Sequence, residues 1–240
     1  MHSTSRGLEA LVDRQVRYWH LKNQAKKRKQ KGGTRHWPVI TVSREFGALG
    51  AAIGKIVSER LGFEFWDQEL VHAMAEQTGV DEALLKTLDE HARSNVEVLI
   101  DGVFRGEAYT ESEYLRQLMR VVHSIGNHGS AVVIGRGSQY ILEDEEALHV
   151  RAVCPRKLRL KGLKERRKLT MPQARKELEK IEKDRLAFIE HHYRCDVRDP
   201  SAYDIVLNTG TLSLEQAADL VMACYQARFG GLPRARRAKA

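Results

Sequence analysis

Cysteine is scarce in this chain. Its 240 residues include only Cys154, Cys195 and Cys224, and no two of these have the close spacing of zinc sites or redox motifs. Three cysteines cannot all pair within one chain, so we expect free thiols and not a disulfide framework. The adjacent pair His191-His192 has no metal-binding motif around it. We therefore predict no metal site that belongs to the protein itself.

Long apolar runs are absent as well. No stretch approaches the 18 or more apolar residues of a membrane span, and the first residues lack the apolar segment and small-residue cleavage site of a signal peptide. The sequence therefore predicts a soluble, cytoplasmic protein with no membrane partner.

Acidic residues are nearly missing from the two ends of the chain. Residues 1–36 carry ten Lys or Arg against two acids, and residues 228–240 carry five against none. The net charge of +8 therefore comes from the ends, since the rest holds 25 basic and 30 acidic residues. Solvated basic ends are the favoured interpretation, and contact with nucleic acid through them is the alternative. We predict a basic N-terminal helix and linker at 1–36, a main domain at 37–227 and a basic tail at 228–240.

The main domain alternates strand patterns with helix patterns. Short apolar runs at 39–42, 63–67, 131–134, 148–153 and 204–208 predict buried strands. Helical patterns fill most of the intervals, including a helical insertion at 68–130 and a charged segment at 156–198. This alternation predicts an α/β fold with a parallel, doubly wound sheet.

A glycine-containing loop follows the first predicted strand. Gly47 and Gly50 lie between that strand and a helical pattern, a layout that places backbone N–H groups and a positive helix end at one point. The loop does not match the phosphate-binding pattern G-x-x-x-x-G-K-[ST]. From these residues alone, a phosphate site and a tight turn without a ligand both stay open.

Several segments resemble the cytidylate-kinase-like family. They are VITVSREFGALGAAIGKIVSERLGFEFWDQELV at 39–71, VVIGRG at 132–137, LHVRAV at 148–153, EKDR at 182–185 and DPSAYDIVLNTGTLSLEQAADLV at 199–221. The resemblance covers about residues 37–225. It implies a three-layer fold of the P-loop NTPase type, in which the insertion at 68–130 binds a nucleoside monophosphate and the segment at 156–198 is a lid.

The resemblance also implies a function. It is transfer of the γ-phosphate of ATP, with Mg²⁺, to a nucleoside monophosphate, with CMP or dCMP favoured as the acceptor. The alternative is a catalytically impaired nucleotide-binding protein with a regulatory or scaffold role. Its basis is that Arg44, Gly50 and Ala52 align with the first glycine, the lysine and the threonine of the P-loop in true cytidylate kinases.

The same resemblance supplies candidate residues at the phosphate loop. The nucleotide and its phosphates are expected at Ser43, Arg44, Gly47, Ala48, Leu49, Gly50, Ala51 and Ala52. Arg44 is a candidate replacement for the charge of the missing lysine. Leu49 stands where the family has glycine, and its side chain is expected to obstruct the approach of phosphate to the backbone.

Two further groups of candidates follow the loop. Asp67 and Arg136 are expected at the monophosphate site, although Asp67 has the simpler alternative of a helix N-cap. Residues 151–185 hold fourteen Lys or Arg against five acids, which suits a lid over a triphosphate or, alternatively, a solvated basic hairpin. The lid candidates are Arg166, Arg167, Lys183, Asp184 and Arg185. Arg44, Arg136 and Arg185 are the predicted catalytic residues, since guanidinium groups stabilise a phosphoryl group in transfer.

Overall fold

The structure is a computed structural model that describes residues 37–76, 79–88, 90–105 and 112–233, together with positions 14 and 17. The basic N-terminal helix and linker predicted at 1–36 therefore lie outside the described residues apart from those two positions. The last part of the predicted tail, 234–240, lies outside them as well.

Five strands form one parallel sheet in the order β2-β3-β1-β4-β5. They are β1 (Val39–Arg44), β2 (Glu64–Trp66), β3 (Ala131–Ile134), β4 (Ala147–Val153) and β5 (Ile205–Asn208). The sequence placed all five, with ends that differ by at most two residues. Because Val, Ile and Ala dominate β1, β3 and β4, these strands can be buried on both faces, as parallel strands usually are. The predicted α/β class with a parallel sheet is confirmed.

Within the described residues, eight helices connect the strands and cover the sheet. They are α1 (Gly50–Leu61), α2 (Gln68–Glu76), α3 (Val80–Leu85), α4 (Glu90–Arg105), α5 (Glu113–His128), α6 (Arg156–Arg167), α7 (Met171–Tyr193) and α8 (Leu214–Phe229). Helices α2 to α5 make up the insertion between β2 and β3, and α6 and α7 form a hairpin between β4 and β5. The helix α8 continues to Phe229, so the first residues of the segment predicted as a tail are helical.

The side chains of the sheet alternate between two hydrophobic cores. Ile40 and Val42 of β1 pack with residues of α1 and α8 on one face. Val39 and the β3 residue Val133 pack with the helical insertion on the other face. The sheet is therefore the middle of three layers.

The position of β1 determines where a ligand can bind. This central strand pairs with β3 on one side and with β4 on the other. The chain forms one side of the sheet with β2 and β3 and then crosses β1 to form the other side with β4 and β5. Ligands of open α/β sheets bind outside the carboxyl ends of the strands at such a switch point. Ser43 and Arg44 end β1 at this point, and Gly135 and Arg136 follow β3 directly beside it.

Candidate functional site

A cavity of about 700 Å³ lies at the carboxyl ends of β1, β3 and β4 and is bordered by α7. Its wall is rich in guanidinium groups, which belong to Arg44, Arg136, Arg151, Arg159, Arg167, Arg185 and Arg198. Four carboxylates also line it, those of Glu45, Glu69, Glu182 and Asp184. The excess of positive charge makes the cavity suited to an anionic ligand.

The loop after β1 leads into a helix that has no N-terminal cap. Leu49 is the N-cap residue of α1 and makes no side-chain hydrogen bond, and the first turn contains no acid. The backbone N–H groups of Gly50 and Ala51 donate no hydrogen bond within the described residues. Free N–H groups and the positive end of the helix dipole favour an anion here.

The loop residues predicted to hold phosphate have different positions. Ser43 and Arg44 line the cavity, whereas Gly47 to Ala52 do not. Ala48 is buried, and its carbonyl accepts a hydrogen bond of 3.0 Å from the hydroxyl of Thr209. Leu49 is 39% exposed, and its φ of 60° is in the left-handed region that L residues rarely adopt.

Gly50 cannot be exchanged for a residue with a side chain without displacing its neighbours. A Cβ atom at this position would lie 2.8 Å from Cβ of Arg44 and 3.1 Å from Cβ of Ala152. Position 50 is where the resemblance aligns the P-loop lysine. The absence of that lysine is therefore built into the packing of α1 on the sheet, and positive charge has to come from other residues.

The side chain of Arg44 extends from β1 toward the end of β3. Its guanidinium group donates a hydrogen bond to Oε1 of Gln68 and lies against Gly135, where a Cβ atom would overlap it. Arg44 forms no ion pair with a carboxylate of the described residues. Burial, reinforced by the charges of Arg185 and Arg136, lowers the pKa of Arg44 to about 9. This unpaired cation can bind an anion that enters the cavity.

Arg136 is held in a strained backbone conformation at the end of β3. Its φ is 55°, and its carbonyl accepts a hydrogen bond of 2.6 Å from the Tyr193 hydroxyl. Its Nε donates to the carbonyl of Gln68 at 3.4 Å, and its guanidinium carbon lies 5.2 Å from the centre of the Phe188 ring. A non-glycine residue with positive φ costs free energy, and such strain often occurs at functional positions.

An aromatic cluster lies beyond Arg136. The Tyr114 hydroxyl is 3.0 Å from Nδ1 of His72, and the ring of Phe188 lies 4.7 Å from that of His192. Burial, with a further contribution from Arg136, lowers the pKa of His72. Burial followed by the charges of His191 and Arg136 lowers the pKa of His192. Neutral imidazoles and a phenol therefore border the insertion side of the arginine cluster.

Of the lid candidates on the α6–α7 hairpin, three line the cavity: Arg167, Asp184 and Arg185. The guanidinium carbons of Arg185 and Arg167 lie 5.2 Å and 5.8 Å from the centre of the Phe46 ring. Nη1 of Arg185 is buried and has no hydrogen-bond partner in the described part of the chain. Burial, then the charge of Arg136, lowers the pKa of Arg185. The other two candidates, Arg166 and Lys183, are exposed and do not line the cavity.

Asp67 acts as a helix cap in this structure. Its Oδ1 accepts hydrogen bonds from the backbone N–H groups of Glu69 at 3.0 Å and Leu70 at 2.8 Å. Asp67 precedes α2 directly and is exposed, and it does not line the cavity. The simpler of the two interpretations accounts for its position.

Arg159 of α6 connects separate segments of the chain, and the sequence reasoning did not identify it. This residue is 7% exposed, and its guanidinium group donates to the carbonyls of Cys154 at 2.7 Å and Phe46 at 3.2 Å. It also pairs with Glu182 of α7 and lies 3.5 Å from Glu45. Arg159 therefore ties the loop after β1 to the α6–α7 hairpin. One arginine among the many of a basic helix gives no sequence signal for this role.

Arg151 of β4 is the other residue that the sequence reasoning missed. It lies in the cavity wall although its strand is otherwise apolar at that end. A charged residue inside a buried strand is unusual and is a signal that could have been used.

The chemistry of the site does not include a preassembled metal centre. Within the described ranges, no three His, Cys, Asp or Glu side chains are grouped as metal ligands.

None of the described helices combines the length and apolar character needed to cross a membrane. All three cysteines are free thiols.

Comparison with solved structures gives matches of low sequence identity. An uncharacterized protein from Eubacterium ventriosum aligns with a TM-score of 0.57 at 17% identity, over 79% of this chain and 99% of that one. A shikimate kinase from Bacteroides thetaiotaomicron aligns at 15% identity over 81% and 99% of the two chains, with a TM-score of 0.43. A dephospho-CoA kinase from Campylobacter jejuni aligns at 14% identity over 81% and 98%, with a TM-score of 0.36. The first match supports the fold, and the other two scores are too low to support a conclusion.

Sequence comparison identifies the family. A search of curated proteins gives no significant match. Residues 39–211, most of the chain, match the cytidylate kinase-like family, and this match confirms the resemblance described above. The chain belongs to the cytidylate kinase-like family.

Proposed function

We propose that this protein transfers the γ-phosphoryl group of ATP to a nucleoside monophosphate, with CMP or dCMP as the favoured acceptor. One observation carries the proposal. Arg44, Arg136 and Arg185 line the same cavity, the charges of Arg185 and Arg136 add to the lowering of the Arg44 pKa by burial, and none of the three forms an ion pair with a carboxylate of the described residues. Three unpaired cations at the switch point of the sheet suit a ligand with several phosphate groups.

The arrangement suggests a division of roles. The triphosphate would bind between the free N–H groups at the start of α1 and the guanidinium groups of Arg44 and Arg185. The monophosphate would bind to Arg136, on the side of the helical insertion. Arg44 feels the charges of both other arginines. It is therefore the residue best placed to contact the phosphoryl group while it moves.

Transfer needs little proton chemistry in this site. An oxygen of the acceptor phosphate forms a bond to the γ-phosphorus, and the bond from that phosphorus to the β–γ bridging oxygen breaks, leaving ADP. The acceptor oxygen is already anionic at neutral pH, so no general base is required. The contribution of the protein is to position the reactants and to neutralise the charge on the phosphoryl oxygens.

A Mg²⁺ ion would be held mainly by the nucleotide. Glu45 and Glu182 both contact Arg159, and Ala52 offers no hydroxyl group where the P-loop has a threonine. Asp184 lines the cavity and has no ion-pair partner within the described residues. The residues fit a metal that is bound through phosphate oxygens and water, with Asp184 as a carboxylate available to it. Such an ion would neutralise charge on the β- and γ-phosphates.

A second candidate function is nucleotide binding without transfer, in a regulatory or scaffold role. The packing of Gly50 against Arg44 favours it, because the lysine that normally contacts the β- and γ-phosphates cannot be accommodated there. The two candidates differ in one measurable property, which is whether bound ATP is turned over.

A coupled assay of ADP release tests the proposal. Mg-ATP would be combined with CMP, dCMP, UMP, AMP or GMP, and the Arg136→Ala variant would be compared with Arg60→Ala. Arg60 is the control because it is also an arginine, but it pairs with acidic residues between α1 and α8, away from the cavity. We expect turnover with a cytidine monophosphate that Arg136→Ala reduces at least about a hundredfold, as loss of a transition-state contact does. ATP binding without turnover for all five acceptors would instead establish the second function.

A further inference from the structure

The cavity continues beneath β1 and β4, on the side of the sheet away from α1. Ser43 of β1 and Arg151 of β4 are register partners in parallel strands, so their side chains point to the same face. Arg44 and Ala152, one residue further, point to the opposite face. The cavity therefore has a second polar wall, on the face of the sheet opposite α1.

Arg151 is a buried cation without an anionic partner among the described residues. Only 5% of the residue is exposed, and Nη1 donates to the hydroxyl oxygens of Ser43 at 3.1 Å and Tyr203 at 3.4 Å. Its other N–H groups make no hydrogen bond in the described part of the chain. The acid that feels its charge is Asp196, which is exposed and pairs with Arg198 at 3.0 Å. A buried guanidinium group without a carboxylate is costly unless an anion completes it.

Gln139 provides an independent indication at the same wall. It is 7% exposed and lines the cavity together with Arg151. Its Nε2 donates to the Tyr203 hydroxyl at 3.3 Å, while its Oε1 is buried and has no hydrogen-bond partner among the residues that the structure describes. Buried acceptors of this kind are rare in native proteins, and a ligand with a donor group would satisfy it.

We infer that Arg151, Gln139, Ser43 and Tyr203 form a second phosphate subsite in the cavity, separate from Arg136. The inference rests on the proposed function in assigning this phosphate to the acceptor, which would then be a nucleoside bisphosphate. The same chemistry would accept a free phosphate ion bound beside the acceptor.

The donors and acceptors of the subsite favour phosphate over carboxylate. Arg151 presents several N–H groups, which match the three terminal oxygens of a phosphate monoester. Oε1 of Gln139 needs a donor, and a phosphate monoester that binds as its monoanion supplies one hydroxyl; this form is close in free energy to the dianion because the second pKa is about 6. At neutral pH a carboxylate can accept hydrogen bonds but cannot donate one, so it would leave Oε1 of Gln139 unsatisfied.

The competing explanation is structural. Arg151 joins β1 to the segment before β5 through Ser43 and Tyr203, and the Tyr203 hydroxyl in turn donates to the carbonyl of Val197 at 2.9 Å. On that explanation, a substitution at Arg151 would lower stability and weaken all ligands alike. Measuring a ratio of two affinities separates the two cases.

Calorimetric titration without ATP provides the test. The dissociation constants of CMP, cytidine 3′,5′-bisphosphate and inorganic phosphate would be measured for the unmodified protein, for Arg151→Gln and for Gln139→Glu. Gln139→Glu keeps the size of the side chain, places a negative charge against the phosphate and leaves Arg151 in place if Arg151→Gln fails to fold. Arg156→Gln is the control, since Arg156 is an exposed arginine paired with Glu179.

We expect the bisphosphate to bind at least about tenfold more tightly than CMP, which is about 1.4 kcal/mol. This ratio should fall to near one in Arg151→Gln and Gln139→Glu and stay unchanged in Arg156→Gln. Equal binding of the two nucleotides together with phosphate binding that depends on Arg151 would assign the subsite to a free phosphate. Equal binding of the nucleotides with no such phosphate binding would overturn the inference, as would an unchanged ratio in both variants.

The outcome is independent of catalysis. If the bisphosphate binds at least about tenfold more tightly than CMP but the protein never turns over ATP, the proposed function is refuted and the subsite stands. Turnover with CMP in a protein that shows no preference for the bisphosphate and no binding of phosphate would do the reverse.

Discussion

Arg44 occupies the space that a side chain at position 50 would need. The Cβ atom of Arg44 lies 2.8 Å from the point where a Cβ of residue 50 would be. The residue that brings positive charge to the phosphate loop is thus also the residue that excludes a lysine from the start of α1. Arg44 and Gly50 are best regarded as one structural unit, because the side chain of Arg44 begins where a side chain on the helix at position 50 would lie.

Substitution of Gly50 tests this packing directly. We expect Gly50→Ala to lower the free energy of unfolding by about 1–3 kcal/mol, as overpacking of a core does. Because each kcal/mol corresponds to roughly 2–4 °C in a protein of this size, the melting temperature should fall by several degrees. The matched control is Gly102→Ala in α4, where nothing lies within 4 Å of the added Cβ and a gain of about 0.5–1 kcal/mol is expected. Equal melting temperatures for the two variants would contradict the close approach at Gly50.

Substitution of Leu49 by glycine is expected to raise stability, whereas substitution of Gly50 lowers it. Its φ of 60° costs a leucine roughly 1–2 kcal/mol, while glycine loses about 0.5–1 kcal/mol through backbone entropy. Leu49→Gly should therefore raise the free energy of unfolding by up to about 1 kcal/mol and, by clearing the start of α1, tighten ATP binding several-fold. Ser130→Gly is the control for the strain, since its φ is 55° and it precedes β3, away from the loop. Calorimetry that shows the same ATP affinity for Leu49→Gly and the unmodified protein would refute the obstruction.

Arg159 should be required both for folding and for coupling the loop to the α6–α7 hairpin. Arg159→Leu leaves Glu182 without its buried partner and is expected to cost about 3–5 kcal/mol. Arg159→Lys keeps the charge but cannot reach two carboxylates and two carbonyls at once, so we expect a smaller loss of stability with a raised KM for ATP. Arg156→Leu removes an exposed pair and should cost about 0–1 kcal/mol. An unchanged KM for Arg159→Lys would show that the connection does not affect the nucleotide.

The sequence predicted the layers of this protein better than its site. The run Ala131–Ile134 was predicted with its correct ends, because four consecutive apolar residues beside Gly135 leave few alternatives to a buried strand. Arg44, Arg136 and Arg185 were selected through the family resemblance, and the structure places them around one cavity. Arg166 and Arg167 could not be separated, since adjacent helix residues point in different directions and the orientation of α6 depends on tertiary packing.

The contacts of Arg159 and Gln139 lay beyond what the sequence can predict. Arg159 contacts Phe46, which is 113 positions away, and Gln139 contacts Tyr203, which is 64 away. Neither pair belongs to a motif, and each joins segments that the strand order of the sheet brings together. Such contacts depend on the topology, and local patterns do not encode them.

His123 makes stability depend on pH in the acidic range. Burial lowers the pKa of this histidine from 6.5 to about 4. Between those values the unfolded chain binds one more proton than the folded protein, so stability falls as the pH drops from about 6.5 to about 4, by up to about 1.4 kcal/mol per pH unit. His123→Leu should remove this part of the slope in denaturation curves measured across that range, while His91→Leu, at an exposed position of α4, should not. A slope that is the same for His123→Leu and the unmodified protein would contradict a neutral buried imidazole.

We propose that arginines replace the absent loop lysine in phosphoryl transfer. A single-turnover experiment tests it most directly, by following label from γ-³²P-ATP to CMP in the unmodified protein and in Arg44→Gln, with Arg60→Gln as the control. We predict that the unmodified protein and Arg60→Gln transfer the label at similar rates and that Arg44→Gln is slower by about a hundredfold or more. Transfer by Arg44→Gln at the unmodified rate, or no transfer by any of the three proteins, would contradict the claim.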